Sequence, residues 1–183
     1  MEKAVVPKSA EELVDLIPRV RLLPGEDETA YEDLRQALLL DFEPASPYEM
    51  ALAENLVDLE WEAHRYRRLR DDLLRQKFLD IAAKEIDDDR FARYPSERAK
   101  ELAAALVCDN AGERAMGLDG LAERGLVEGA ILAKAYAIEL KTIEPIERHI
   151  AEIETRRRRL HEDLFRLKSK RSPVIPDADI LSE

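Results

Sequence analysis

Apolar residues recur along the chain at alternating spacings of four and three. One series runs Leu52, Leu56, Leu59, Ala63, Tyr66, then Arg70, then Leu73. That spacing puts every member on one stripe of an α-helix, the seam of a coiled coil, with Arg70 in a seam position. Leu74, Phe78, Ile81 and Ile86 continue on a shifted stripe, and Ala53, Val57 and Trp61 form a second stripe beside the first. A face that wide predicts packing against more than one helix. The same alternation returns near the C-terminus in Ile146, Ile150, Ile153, Arg157, Leu160, Leu164 and Leu167, again with one arginine in the seam. Before it, Tyr136, Leu140 and Ile143 keep helical spacing but change register beside Pro145.

Capping residues and prolines set the predicted ends. Ser46-Pro47-Tyr48-Glu49 joins a serine cap, a proline at the first helical position and a glutamate three residues after the cap. No Gly or Pro follows until Pro95, so a long helix is expected over about 47–93. At about 1.5 Å per residue such a rod is roughly 65–70 Å long. Asp27 is a predicted N-cap for a helix carrying Tyr31, Leu34 and Leu38, which Pro44 ends. Ser9 and Glu12 fit a capping box ahead of Leu13, Leu16 and Ile17, and Pro18 ends or bends that helix. Ser96 caps a shorter helix with Leu102, Leu106 and Val107. Gly112, Gly117, Gly120 and Gly125 make residues 109–125 the most turn-like part, with one short helix near 118–124. The region of short helices and turns spans about 96–125. A C-terminal long helical region follows over about 126–171, kinked or broken near Pro145, and 172–183 reads as a loose tail.

The expected fold is all-α, one domain over 1–183. It is an elongated antiparallel long-helix hairpin, coiled-coil-like, with short helices packed at its sides. Two helices alone bury little, so the N-terminal helices or a second copy should cover the remaining face. Composition agrees. Only 5% of the 183 residues are aromatic, which argues against a sandwich or barrel, and the single Cys excludes an intrachain disulfide framework and a Cys-only zinc site.

Charge narrows the function. A formal charge of −11 is wrong for a general nucleic-acid coat. Yet Arg156 to Arg171 holds eight basic and two acidic residues. No apolar run approaches the roughly 20 residues needed to span a bilayer, so no membrane is expected. The N-terminus lacks the long apolar stretch of a secretory signal, and the expectation is cytoplasmic.

Catalytic and metal-binding chemistry needs particular residues at particular spacings. Three residues before His64, His149 and His161 stand Trp61, Ile146 and Arg158, so the Glu-x-x-His pair of a di-iron bundle is missing. Cys108 reads as a small buried hydrophobe. No G-x-S-x-G, phosphate-binding loop or dinucleotide fingerprint occurs in the sequence. The expectation is therefore a non-enzyme with no cofactor and no metal.

Two arginine-rich stretches are candidate interaction sites. One is Arg65, Arg68 and Arg70 beside Trp61, a protein-contact patch if the indole is exposed. The other is Arg156, Arg157, Arg159, Arg166 and Lys170, which could track phosphates or an acidic protein. A plainer reading competes. Glu152–Arg156, Glu154–Arg158 and Glu162–Arg166 are i,i+4 pairs in the favourable order, and Arg67–Asp71 and Arg68–Asp72 can pair likewise.

Residues 53–74, AENLVDLEWEAHRYRRLRDDLL, carry a VDL-x-WE-x-x-R-x-RRL core in Val57, Asp58, Leu59, Trp61, Glu62, Arg65, Arg67, Arg68 and Leu69. This core resembles that of a bacterial, mainly proteobacterial, group of helical proteins. The LPGED run Leu23 to Asp27, Tyr31 shortly after it, and residues 135–157 are similar to the same group. The resemblance implies a bacterial helical protein and carries over no activity and no functional residue. The function expected is thus a protein-interaction or assembly module whose partner is another protein or a second copy, with Leu52, Leu56, Leu59, Leu160, Leu164 and Leu167 supplying burial. Arg70 and Arg157 would fix register. The alternative is a nucleic-acid-associated accessory protein using the basic C-terminal helix.

Overall fold

The computed structural model describes residues 20–89 and 93–170. They form five α-helices and, among the described residues, no strand: α1 (Glu28–Phe42), α2 (Pro47–Ile86), α3 (Glu97–Ala105), α4 (Ala111–Ala122) and α5 (Glu128–Ser169). The class is all-α, with two long helices of 40 and 42 residues. The helix expected near 9–17 and the tail 172–183 lie outside the described residues.

The ends follow local chemistry. Asp27 accepts the N–H groups of Thr29 and Ala30, and α1 stops at Glu43, whose φ of 40° is left-handed, just before Pro44. At the start of α2, Ser46 Oγ accepts the Glu49 N–H at 3.2 Å, and the buried Glu49 carboxylate accepts the Ala45 N–H at 2.9 Å. This capping box satisfies amides that the first turn leaves without partners.

Helix α2 ends at Ile86 rather than near 93. The Asp87 carboxylate accepts the backbone N–H groups of Ser96 and Asp89, which draws the chain into a turn. Those amides, Ser96 first, hold the carboxyl below the usual carboxylate range. Arg124 donates to the Ile86 carbonyl at 3.1 Å and closes the end of α2.

Helix α4 begins at Ala111, well before the expected 118, because Asn110 accepts the N–H groups of Gly112 and Glu113. Its glycines serve packing. A Cβ on Gly117 would stand 2.8 Å from the Leu102 carbonyl oxygen and 3.0 Å from Leu106, so only glycine lets α4 lie this close to α3. Gly125, at φ +68°, supplies the left-handed turn beyond α4. Pro145 neither ends nor interrupts α5, although it offers no N–H to the preceding turn.

The chain divides into two compact units, 1–64 with 151–183, and 65–150. In the first, Tyr31 meets Trp61 edge-on at 5.3 Å between ring centres, over Val57. The Tyr31 hydroxyl donates to Asp58 at 2.8 Å, and burial, reinforced by that carboxylate, pushes the phenol above its ordinary range. Arg35 grips the buried Glu54 with two nitrogens, Nε at 2.9 Å among them. Leu52 and Leu56 pack on Leu164, flanked by Phe42, Leu160 and Leu167, so the start of α2 lies against the end of α5.

In the second unit, Phe78, Ala82, Ala83 and Ile86 of α2 share a core with Ala99, Ala103, Leu106, Leu121, Ile131 and Ala135. Ion pairs Arg70–Glu147, Lys77–Glu139 and Glu85–Lys134 step down α5 as they climb α2. Within each unit the long helices are therefore antiparallel. Each large side chain buried here contributes roughly 1.5–3 kcal/mol.

Candidate functional site

The seam arginines are explained by antiparallel pairing. Arg70 Nη1 donates to Glu147 at 2.8 Å and its Nε to Asp71 at 2.9 Å. Arg157 donates to Glu60. Each long helix thus places one arginine in the seam, and each arginine finds a glutamate on the other long helix. The two carboxylates, Asp71 first, raise the Arg70 guanidinium above its usual range. A charged seam position tolerated in this way specifies register more than it adds stability.

The remaining sequence candidates are scattered. Trp61 is 7% exposed and packed with Tyr31 and Val57, so the condition for an exposed indole patch with Arg65 and Arg68 is not met. The reason is geometric: Trp61 shares its stripe with Val57, and α1 covers that stripe. Arg65 is half-buried and Arg68 exposed. In the basic run, Arg156, Arg158, Arg159 and Lys170 are exposed, Arg157 turns to Glu60, and Arg166 lies 3.5 Å from Asp163, one residue from the expected Glu162.

Two grooves flank this run. One of about 780 Å³ is lined by Phe42, Arg157, Arg158 and His161 together with Glu60, Glu154 and Glu162. The other, about 560 Å³, is lined by Arg156, Arg159 and Leu160 together with Asp58 and Glu62. Carboxylates interleave with the arginines in both, which weakens the field a phosphate backbone would need.

The leucines expected to join two copies are occupied inside one chain. Leu52, Leu56, Leu59 and Leu164 are buried, and Leu160 and Leu167 pack partly buried against them. These leucines therefore leave little apolar surface free for a second copy.

The first half of α5 carries an exposed apolar stripe. Eight of the ten residues 131–140, ILAKAYAIEL, are apolar. Only Ile131, Ala135 and, about two turns beyond Ala135, Ile143 are buried. Leu132 stays 43% exposed, Tyr136 43% and Leu140 57%, at i, i+4 and i+8 on one stripe. Beside it run Gly129, Ala133 and Ala137, all exposed. Leu132 also lines a groove of about 320 Å³ floored by Leu74, Phe78 and Val107. The three large side chains present on the order of 300 Å² of apolar surface, the scale at which a patch on a soluble chain is often functional. In sequence, Tyr136 and Leu140 share the helical spacing of Ile143, so spacing alone does not set this stripe apart from a seam. The usable signal was apolar content on all sides of one short helical stretch.

Among the described residues no cluster of three or more His, Cys, Asp or Glu side chains could hold a metal ion. The Cys108 thiol donates to Glu113 at 3.2 Å. No helix among the described residues is long and apolar enough to cross a membrane. In comparisons with known proteins, no family model, no curated protein and no solved structure matches the chain.

Proposed function

We propose that this chain is a non-enzymatic helical assembly module that self-associates through the first half of α5. The observation that carries the reading is the exposed stripe Leu132, Tyr136 and Leu140. The seam leucines are already packed within the chain, whereas this stripe is an apolar surface left open to a partner. Removing a half-exposed leucine or tyrosine from water is worth about 1 kcal/mol each, enough in combination to favour association.

The test is solution mass by light scattering across a concentration series, at low and high salt, with and without a mixed DNA and RNA pool. The expected result is a mass that rises from 20.9 kDa toward its double with concentration, insensitive to salt and to nucleic acid. A mass that shifts only when nucleic acid is added at low salt would move the function to the arginine-rich part of α5. Tyr136→Ser combined with Leu140→Ser should return the chain to a monomer with unchanged helicity.

A further inference from the structure

One exposed face of α5 consists of two rows of opposite shape. Leu132, Tyr136 and Leu140 stand as knobs four residues apart. Gly129, Ala133 and Ala137 run beside them with the same step and leave a shallow channel. Rows of this kind are the ridges and grooves through which helices pack, and small residues in the groove let two axes approach to the short end of the usual 8–10 Å range.

Resting on the assembly reading above, we infer that two copies of this chain pair antiparallel across α5, about a twofold axis between Lys134 and Ala135. In that register Leu132 of one copy faces Ala137 of the other, Tyr136 faces Ala133, and Leu140 faces Gly129. Every knob meets a gap, and the twofold repeats each contact, which is the self-complementarity a closed dimer requires. A parallel pair would set the knob row against itself and the small row against itself, crowding one side and leaving a void along the other.

The charges next to this face do not oppose the contact. None of the six facing positions is charged. Lys134 donates to Glu85 at 2.6 Å, Glu139 is held by Lys77 at 3.0 Å, and Glu128 accepts from Arg114 at 3.0 Å. Their charges are thus balanced within the chain before a second copy arrives. The depletion of charge at the centre with a paired, polar rim is the pattern of protein interfaces. The knob rows of two copies together offer roughly 600 Å² of apolar surface, below the ~1,200 Å² of a standard interface, so the dimer is of the weak, concentration-dependent class.

Crosslinking of full-length chains carrying Cys108→Ser reads the register directly. One variant carries Leu132→Cys and the other Ala137→Cys, and each is oxidised mildly alone and as an equimolar mixture at about 300 μM, a concentration suited to a weak interface. The mixture should give a disulfide dimer at least about tenfold above either variant alone, because only the mixed pair comes within the ~5.5–6 Å that a disulfide spans between Cα atoms. Homodimer yields equal to or above the mixed yield overturn the antiparallel register. A wild-type mass that stays monomeric at the same concentration overturns the assembly reading with it, whereas a wild-type dimer with homodimer crosslinks overturns the register alone. Circular dichroism confirms that each variant is folded. Ala137→Phe fills the channel at an exposed position and should weaken the wild-type dimer by about tenfold or more, a penalty of the size overpacking imposes; an unaffected dimer counts against the register.

Discussion

The two halves of α5 differ in how they treat the surface around their seam. Over residues 151–170, eleven of twenty positions are charged, and apolar side chains outside the seam are few. Over 131–140 there is one lysine, one glutamate and apolar side chains on every side. Both halves pack against α2 within their own units, Leu164 on Leu52 and Leu56 in one, Ile131 and Ala135 in the core of Phe78 and Ala82 in the other. The shared heptad spacing therefore reports pairing inside the chain. On the proposed reading, the apolar excess that remains after pairing marks where a second molecule docks.

Substitutions separate these two meanings, and the seam should show the largest effects. Leu164→Asp places a carboxylate between Leu52 and Leu56 and should cost on the order of 4 kcal/mol, seen as lost helicity and a lower urea midpoint. Tyr136→Ser on the other half should leave the monomer's midpoint within about 0.5 kcal/mol while abolishing association. Equal destabilisation by the two would erase the distinction between the halves.

Next in size is Arg35→Ala. Glu54 is 3% exposed and would lose the guanidinium that grips it, at a cost of about 3 kcal/mol by urea unfolding. Gly117→Val, which drives a side chain into the Leu102 carbonyl, should cost roughly 1–3 kcal/mol. Gly129→Ala meets nothing within 4 Å in the monomer and should be neutral or slightly stabilising.

Acid should act on the second unit through Asp87. Its folded pKa lies below the unfolded value of 3.8, so the stabilisation is present above that pH. It is lost as pH falls through the folded value, where the carboxyl takes up the proton it resisted and releases the Ser96 and Asp89 amides. Acid titration followed by circular dichroism should show Asp87→Asn unfolding with a shallower pH dependence than the parent below pH 3.8. The smallest effect belongs to Arg158→Ala, an exposed position, where a change beyond about 0.5 kcal/mol would mean that the basic run does more than solvate α5.

The class of fold and both seams were legible in the spacing of leucines and in capping residues such as Asp27, Ser46 and Ser96. The end of α2 was not, because Asp87 terminates it through an amide nine residues away in Ser96. Nor was α4, where Gly117 reads as a breaker until the Leu102 carbonyl is seen against it. Pro145 reads as a kink or a break, and the break is absent because α5 continues through it. The candidate surface was the least legible part. Leu132, Tyr136 and Leu140 carry the same spacing as core residues, and only the position of α2 decides which side of α5 is covered.

Trp61 is the chain's single tryptophan, buried against Tyr31 in the first unit. Indole emission therefore watches the first unit alone, while Tyr66, Tyr94 and Tyr136 belong to residues 65–150. A fluorescence melt and a helicity melt run on one sample read different parts of the protein. Where the two curves coincide, the units unfold as one cooperative body; where the indole signal moves at its own temperature, one native chain contains two independently melting structures.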